Sequence, residues 1–398
     1  MALRMSLLIV LFACTEFANA GDGVKFDVRQ LAVDANEGIT SADVDGDGKP
    51  DIIAGRNWYQ NPSWAARPLR NIDDWNGYVQ SNGDQTFDIN RDGRPDVVAG
   101  SFVPREVYWY DNPGKDGLRL GKLWKKQLLL ATPQERNEGI LFEDIDGDGT
   151  PEWVANSWAK DVPMYVHRLI PIEATENDAT EKSDASKASY KFVPHQIGAK
   201  GNGHGCGIGD LNGDGRKDVL VGQGWYEQPQ DPWAGPWKFH PVWDQHASLP
   251  MLVVDVNNDQ KNDIIFGLGH DFGLIWWQNL GVGDDGELQF EEHIIDREYS
   301  QPHTLAWADL TGDGVPELIT GKRYYAHNGR DPGGQFPPCM YYYELVDKQN
   351  GKFKRHTIEE GHVGTGLQIV VEDFNQDGMN DLAVAGKSGT HVLINRGK

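Results

Sequence analysis

Short apolar runs alternate with polar turn residues along almost the whole chain, and this pattern predicts β-strands. Runs such as Ile52–Ala54 and Val219–Val221 directly follow an acidic loop, and another short apolar run precedes each loop. A third run with aromatic residues often comes next, as at Val107–Tyr110, and then a fourth such as Phe290–Ile295. Four strands per repeat are typical of one blade of a β-propeller.

The acidic loop recurs seven times, at residues 43–51, 88–96, 144–152, 210–218, 255–263, 309–317 and 373–381. Seven repeats of four strands predict an all-β fold, a seven-bladed β-propeller of four-stranded blades. After the last loop only Leu382–Ala385 and Thr390–Asn395 remain, so the last blade lacks one strand. We expect Lys25–Leu31 to supply it as the outer strand, because such an interlock removes an exposed sheet edge.

Each acidic loop has the spacing of a calcium site. Oxygen-bearing side chains at positions 1, 3, 5 and 9 can converge on one hard cation with the carbonyl of position 7, and glycine at position 6 permits the sharp bend. The alternative is an Asx-rich turn without metal. The fifth loop has Gln260 at position 6, which leaves its occupancy open. The predicted structural calcium ligands are Asp43, Asp45, Asp47 and Asp51; Asp88, Asn90, Asp92 and Asp96; Asp144, Asp146, Asp148 and Glu152; Asp210, Asn212, Asp214 and Asp218; Asp255, Asn257, Asp259 and Asp263; Asp309, Thr311, Asp313 and Glu317; and Asp373, Asn375, Asp377 and Asp381.

These Asp-x-Asp-x-Asp-Gly loops resemble those of the FG-GAP or VCBS repeat family, whose propellers include that of integrin α subunits. The resemblance covers essentially all of residues 21–398 and implies that they form a single propeller. It implies the fold and bound calcium, but it leaves the function open because a fold does not fix a role.

Residues 1–20 are typical of a signal peptide, with a positive Arg4, the short apolar run Leu7–Ala13 and a small-residue cleavage site at Ala20. We therefore expect a secreted or periplasmic protein. Lipidation at Cys14 is the alternative. The polar run 174–189 predicts a disordered insertion.

The formal net charge of −23 disfavours nucleic acid and anionic membrane surfaces as partners. No segment after the signal peptide is long and apolar enough to predict a membrane span. Cys206 and Cys339 are the cysteines left after processing, and whether they pair is open.

Polar residues recur on what should be the opposite face of the propeller. If the acidic loops join the first and second strands of each blade, the residues before the first strand and after the second lie at the other end. Residues that precede the first strand include Glu37, Glu138, His204 and His303. Residues that follow the second strand include Arg56, Trp58, Trp158, Trp225, His270, Lys322, Arg323, Tyr324, His327 and Lys387. The segment 322–333 is expected to replace the aromatic third strand of its blade with a ligand loop.

We interpret this face as a metal-centred pocket for a polar, partly anionic ligand such as a sugar acid. His204 and His303, with Glu138 or Glu37, would hold zinc or another divalent metal. His270, His327 or Glu37 would move protons. The expected substrate-binding residues are Arg56, Trp58, Trp158, Trp225, Lys322, Arg323, Tyr324 and Lys387. The alternative is that these side chains cap strands and fill gaps between blades.

The arrangement also resembles the propeller domain of aldos-2-ulose dehydratase, by position on the rim rather than by a shared linear motif. That resemblance implies a metal-assisted carbon–oxygen lyase acting on sugars by β-elimination. The other hypothesis is a non-catalytic propeller that binds an extracellular glycan or protein. No hydrolase triad or paired-carboxylate motif supports glycoside hydrolysis.

Overall fold

The structure is a computed structural model that describes residues 23–172, 187–348 and 350–398. The predicted signal peptide 1–20, Cys14 and most of the predicted insertion 174–189 lie outside the described residues. Cys206 and Cys339 are both buried and unpaired. Within the described part of the chain, no helix has the length and apolar character needed to cross a membrane.

The described strands form seven four-stranded antiparallel sheets and one short hairpin. The first three blades and the hairpin comprise β2 (Ile39–Ala42), β3 (Asp51–Ala54), β4 (Asn57–Gln60), β5 (Ala65–Pro68); the hairpin β6 (Asp74–Trp75) and β7 (Tyr78–Val79); β8 (Gly83–Phe87), β9 (Asp96–Gly100), β10 (Glu106–Asp111), β11 (Lys125–Ala131); and β12 (Asn137–Glu143), β13 (Glu152–Ser157), β14 (Met164–Pro171), β15 (Tyr190–Gly198).

The remaining four blades close the ring. They comprise β16 (Cys206–Gly209), β17 (Asp218–Val221), β18 (Gly224–Glu227), β19 (Lys238–His240); β20 (Leu252–Val254), β21 (Asp263–Gly267), β22 (Phe272–Val282), β23 (Leu288–Ser300); β24 (Pro302–Ala308), β25 (Glu317–Lys322), β26 (Cys339–Asp347), β27 (Lys352–Glu360); and β28 (Ile369–Glu372), β29 (Asp381–Gly386), β30 (Gly389–Asn395) with β1 (Phe26–Ala32).

The predicted closure by the N-terminal strand is confirmed, because β1 pairs antiparallel with β30 as the outer strand of the last blade. The seven-bladed fold is confirmed with it. One expectation about the sixth blade was wrong: the segment 322–333 does not replace the aromatic third strand, because β26 supplies that strand with Tyr341, Tyr342 and Tyr343. The segment is instead an extra loop between the second and third strands. It contains a 3₁₀ turn at Ala326–Gly329, and α1 (Gly114–Arg119) follows the third strand of the second blade.

Every acidic loop joins the first and second strands of its blade, so all seven lie at the same end of the propeller. Their backbone conformation is also shared. Position 6 is left-handed both where it is glycine, as at Gly48 with φ of 87°, and at Gln260 with φ of 69°. In both loops the amide of position 6 donates to the leading aspartate, to Asp43 Oδ2 at 3.0 Å and to Asp255 Oδ2 at 2.9 Å. The fifth loop therefore has the same shape as the others.

Candidate functional site

Four side chains from successive blades meet at the end of the propeller opposite the acidic loops. His204 Nε2 lies 3.0 Å from His270 Nε2, 3.2 Å from His303 Nε2 and 3.0 Å from Glu138 Oε2. All four ligand-type atoms lie within 4.8 Å of one another. We call these four residues the His₃Glu cluster. A tetrahedral metal with bonds of about 2.0–2.1 Å places its ligand atoms roughly 3.3 Å apart, close to the three distances measured from His204 Nε2.

The partners of the Nδ1 atoms of His204 and His270 fix how these two rings face the cluster, whereas His303 Nδ1 has no hydrogen-bond partner among the described residues. His204 Nδ1 lies 2.6 Å from the Ala247 carbonyl, which can only accept, so Nδ1 carries the hydrogen. His270 Nδ1 likewise donates to Asp331 Oδ2 at 2.8 Å. The two Nε2 atoms of the neutral rings then face each other with lone pairs. A cation between the two Nε2 atoms, either a proton or a metal ion, relieves the repulsion between their lone pairs. The hydrogen bonds from the two Nδ1 atoms are of the kind that orients metal-binding histidines.

Arg323 joins the two buried glutamates beside the cluster. Its guanidinium donates to Glu37 at 2.8 and 2.9 Å and to Glu138 Oε1 at 2.6 Å. It also donates to His303 Nε2 at 3.0 Å, so a metal ion bound at this nitrogen would have to displace that hydrogen bond. Lys387 Nζ donates to Glu37 Oε1 at 2.8 Å. Both carboxylates are therefore ion-paired.

The ion pairs determine the pKa values of the buried glutamates. Burial raises the pKa of Glu37, but Arg323 and Lys387 outweigh it and hold the pKa below the ordinary range. Burial also opposes ionisation of Glu138, where His204 and Arg323 together lower the pKa. Burial lowers the pKa of His270 to about 4, so its ring is neutral near pH 7.

Asp331 connects the cluster to the surface of the pocket, and the sequence reasoning missed it. Its Oδ2 accepts from His270, and its Oδ1 lies 2.9 Å from His327 Nδ1. The His327 ring stacks on His270 with centroids 4.5 Å apart. Tyr325, His327 and Asn328 all have positive φ, which non-glycine residues adopt at a cost. The spacing of His327 and Asp331 within one loop was the available signal.

A cavity of about 220 Å³ opens beside the cluster. It is lined by Trp75, Asn76, Tyr78, Asn82, Phe102, Glu138, Trp158, Arg323, His327, Asn328 and Lys387. Five of these were predicted from sequence: Glu138, Trp158, Arg323, His327 and Lys387. Sequence reasoning missed the hairpin residues, although an Asn-Gly pair between aromatic residues is a strong hairpin signal.

Other predicted substrate residues lie elsewhere. Trp58 is buried between the first and second blades, and Trp225 is buried and stacks on His240 at 4.1 Å. Arg56 is ion-paired with Asp74. None of the three lines the cavity beside the cluster, since Trp58 and Trp225 lie inside strands of their blades.

Lys322 and Tyr324 do not line this cavity either. The ammonium of Lys322 is buried and donates to Ser300, Gln301 and the Gly333 carbonyl, so it anchors the loop that carries His327. Tyr324 lines a separate cavity.

The acidic loops form a second type of cation site. Three loops bring carboxylates within reach of one ion: Asp43, Asp45 and Asp51; Asp144, Asp146 and Glu152; and Asp309, Asp313 and Glu317. The carboxylate at position 9 is buried, and burial raises the pKa of Asp51 to about 7 and that of Glu152 to about 8. Buried carboxylates with neighbouring acidic groups suit a hard divalent cation.

The fold and these loops define the class of protein: a seven-bladed β-propeller with acidic cation-type loops between its inner strands. The FG-GAP-like repeat family model matches residues 88–155 and 255–320, so these two segments are similar to repeats of that family. The comparison with curated proteins found no match.

Two solved structures are similar over most of this chain. One is an Agrocybe aegerita lectin that specifically recognises non-reducing terminal N-acetylglucosamine, with 18% identity, a TM-score of 0.46 and coverage of 95% of this chain and 87% of the lectin. The other is BBS1N in complex with ARL6DN, with 12% identity, a TM-score of 0.49 and coverage of 93% and 95%. At this level of similarity, the function must be argued from this chain's own residues.

Proposed function

We propose that this chain is a secreted, calcium-loaded β-propeller that binds zinc or a similar divalent ion in the His₃Glu cluster and uses it to bind and activate a sugar for β-elimination. The observation that carries the proposal is the convergence of three imidazole nitrogens and one carboxylate oxygen at the spacing of a tetrahedral metal. Such a nitrogen-rich set suits zinc, whereas calcium and magnesium prefer oxygen.

The cavity next to the cluster gives a substrate access to such an ion. A divalent ion held by Glu138 and the histidines would have to accept a sugar carbonyl as a fifth ligand, and it would then polarise that carbonyl and make the neighbouring C–H more acidic. In the elimination a base takes that proton, the C=C bond forms, the C–O bond at the next carbon breaks, and the leaving oxygen gains a proton. His327 is placed for proton transfer because it lines the cavity. Glu37, held by Arg323 and Lys387, is assigned to fixing Arg323 rather than to accepting a proton.

Metal analysis of the purified mature protein tests the metal site. After dialysis with calcium, we expect about one tightly held zinc per chain in addition to calcium. His204→Ala should lose the zinc, because this ring contacts each of the other three ligands. His240→Ala is the matched control, since His240 is equally buried but stacks on Trp225 in the outer part of its blade. A wild-type protein without zinc or a similar ion would overturn the metal-dependent function.

Substrate screening tests the chemistry. Keto-sugars and uronate oligosaccharides are incubated with the zinc-loaded protein, and the unsaturated product is followed by its ultraviolet absorbance. We expect product from wild type and none from His204→Ala. Tight binding of a sugar without any product would instead support the alternative, a non-catalytic glycan-binding propeller. One observation favours that alternative: both buried glutamates are ion-paired, so neither is free to act as a base.

A further inference from the structure

The hairpin formed by β6 and β7 lies at the wall of the cavity, and an ion pair and a backbone hydrogen bond connect it to the rest of the propeller. Its turn residues Asn76 and Gly77 have φ of 52° and 87°, the left-handed pair of a tight hairpin turn. Arg56 Nη2 binds Asp74 Oδ1 at 2.6 Å, and the Val79 amide donates to the Ala35 carbonyl at 2.8 Å. The hairpin is thus a pre-positioned element.

Aromatic rings continue from the hairpin to the His₃Glu cluster. The ring of Trp75 lies 5.7 Å from that of Tyr78 and 5.8 Å from that of Phe102, and Phe102 lies 5.8 Å from Trp158. The indole of Trp158 then donates to Glu138. All four rings are half-buried and line the cavity, so they leave apolar surface open in a polar site. We call these four residues the aromatic wall.

Polar side chains also line the cavity. They include Asn76, Asn82 and Asn328, and Asn82 is buried with an Oδ1 atom that has no hydrogen-bond partner among the described residues. A buried acceptor without a donor is costly, so it points to a ligand that donates a hydrogen bond there. A ring with one apolar face and hydroxyl groups on its edge, as in a sugar, complements both the rings and the asparagines.

The charges around the cavity select the kind of sugar. Glu37 and Glu138 are ion-paired with the two cations Arg323 and Lys387, whereas Asp331 binds the rings of His270 and His327, which are neutral in the metal-binding form. These three carboxylates and two cations together carry a net charge of −1, and a bound divalent ion would change this net charge to +1. A site of that charge favours a monoanionic ligand over a neutral one.

We propose that the aromatic wall and Asn82 form a subsite for the ring of an acidic sugar, a single sugar unit that carries a carboxylate. This inference rests on the proposed metal site for its charge preference, but the stacking on Trp75 is independent of it. Lys387 lies on the same wall, with its Nζ 4.4 Å from the Tyr78 ring centroid, and provides a cation for the carboxylate beside the metal.

Calorimetry on the calcium- and zinc-loaded protein tests the subsite with two probes, D-glucuronate and D-glucose. We expect glucuronate to bind more tightly by roughly tenfold or more, because only it carries the charge. Trp75→Ala should weaken glucuronate binding about five- to tenfold, whereas Trp75→Phe should keep most of it. Trp64→Ala is the matched control, because Trp64 is also half-buried but packs on Phe374 outside the cavity.

Zinc content and thermal unfolding of each variant separate the possible outcomes. Zinc retained by a folded Trp75→Ala with weakened glucuronate binding supports the subsite. Zinc present but equal binding of both sugars, or unchanged binding in Trp75→Ala, overturns the subsite and leaves the metal site standing. No zinc in wild type overturns the proposed function and the acidic preference with it.

Discussion

Asp331 is the residue through which the cavity wall and the His₃Glu cluster act on each other. One carboxylate oxygen binds His270 Nδ1 and the other binds His327 Nδ1, so the same side chain orients a proposed metal ligand and a cavity residue. Gln301 Nε2 adds a third donor at 3.0 Å. The ionised carboxylate of Asp331 accepts from all three donors. An asparagine at this position has only one acceptor oxygen, so its NH₂ group must face at least one of these donors.

Asp331→Asn should therefore weaken zinc binding about 10- to 100-fold, the usual cost of losing an outer hydrogen-bond partner of a metal-binding histidine. The affinity is measured by competition with a chromophoric chelator. Cobalt substitution adds a spectroscopic reading of ligand geometry, and its visible bands should shift. Asp244→Asn is the control, since Asp244 is an exposed partner of Lys160. Unchanged zinc affinity in Asp331→Asn would contradict the orienting role.

Three tryptophans show where residue-level prediction from the sequence reaches its limit. Trp58, Trp158 and Trp225 each follow the second strand of a blade at a similar offset. In the first and fourth blades the third strand starts at once, so Trp58 and Trp225 enter β4 and β18 and become buried. In the third blade the next strand starts at Met164, so Trp158 stays in a loop and reaches the cavity. The distance of each tryptophan from its acidic loop is nearly the same, and the length of the following turn decides the outcome.

At the scale of elements, a repeated side-chain bridge ties neighbouring blades together. In five blades an Asn or Gln lies at the end of the third strand. Its side-chain NH₂ group donates to the backbone carbonyl of position 8 in the acidic loop of its own blade and to the backbone carbonyl of position 2 in the acidic loop of the preceding blade. These residues are Asn61, Asn112, Gln228, Asn279 and Asn395. The backbone N–H of each of these residues also donates to the carboxylate at position 9 of the acidic loop in the same blade. The two blades that lack this pattern have glutamate at position 9.

Asn279→Ala tests this bridge. The side chain of Asn279 is buried and donates to the carbonyls of Leu211 at 3.2 Å and Asn262 at 2.9 Å. Its removal leaves the buried carbonyl of Leu211 and the half-buried carbonyl of Asn262 without this donor, so we expect a loss of about 1–3 kcal/mol in the free energy of unfolding. Chemical denaturation measures it, with Gln278→Ala on the same strand as the control. Equal stability of both variants would show that the bridge contributes nothing.

The strands and acidic loops were predictable because the same sequence pattern occurs seven times. The acidic loops, the flanking strands and the closing strand Phe26–Ala32 all follow from periodicity and from the need to cover a sheet edge. The loop that carries His327 and the β6–β7 hairpin occur once each, so no repeat supports them. Their positions depend on single contacts, such as Lys322 with Gly333 and Arg56 with Asp74.

At the scale of the whole molecule, the two kinds of cation site lie at opposite ends of the propeller. The acidic loops lie between the first and second strands of every blade, whereas Glu138, His204, His270 and His303 lie at the other ends of those strands. The formal charge of −23 is concentrated partly in the loops, where carboxylates of one loop repel one another without a cation. Bound calcium should therefore stabilise the ring, and the metal proposed for the His₃Glu cluster would contact the ligand at the opposite end.

Calcium removal gives the corresponding prediction for the whole molecule. Each ion that binds only the folded state adds about 2.7 kcal/mol when its free concentration is a hundred times its dissociation constant. Chelation with EGTA should therefore lower the midpoint of thermal unfolding, calcium should restore it, and magnesium should restore less because it keeps its water ligands. EGTA also removes zinc, so the same experiment on His204→Ala separates the two sites: this variant should still show a drop, since the loops are unaffected, and any larger drop in wild type measures the contribution of zinc. A midpoint that does not respond to EGTA in either protein would mean that the acidic loops hold the blades through hydrogen bonds alone. A response confined to wild type would instead assign the stabilising ion to the His₃Glu cluster.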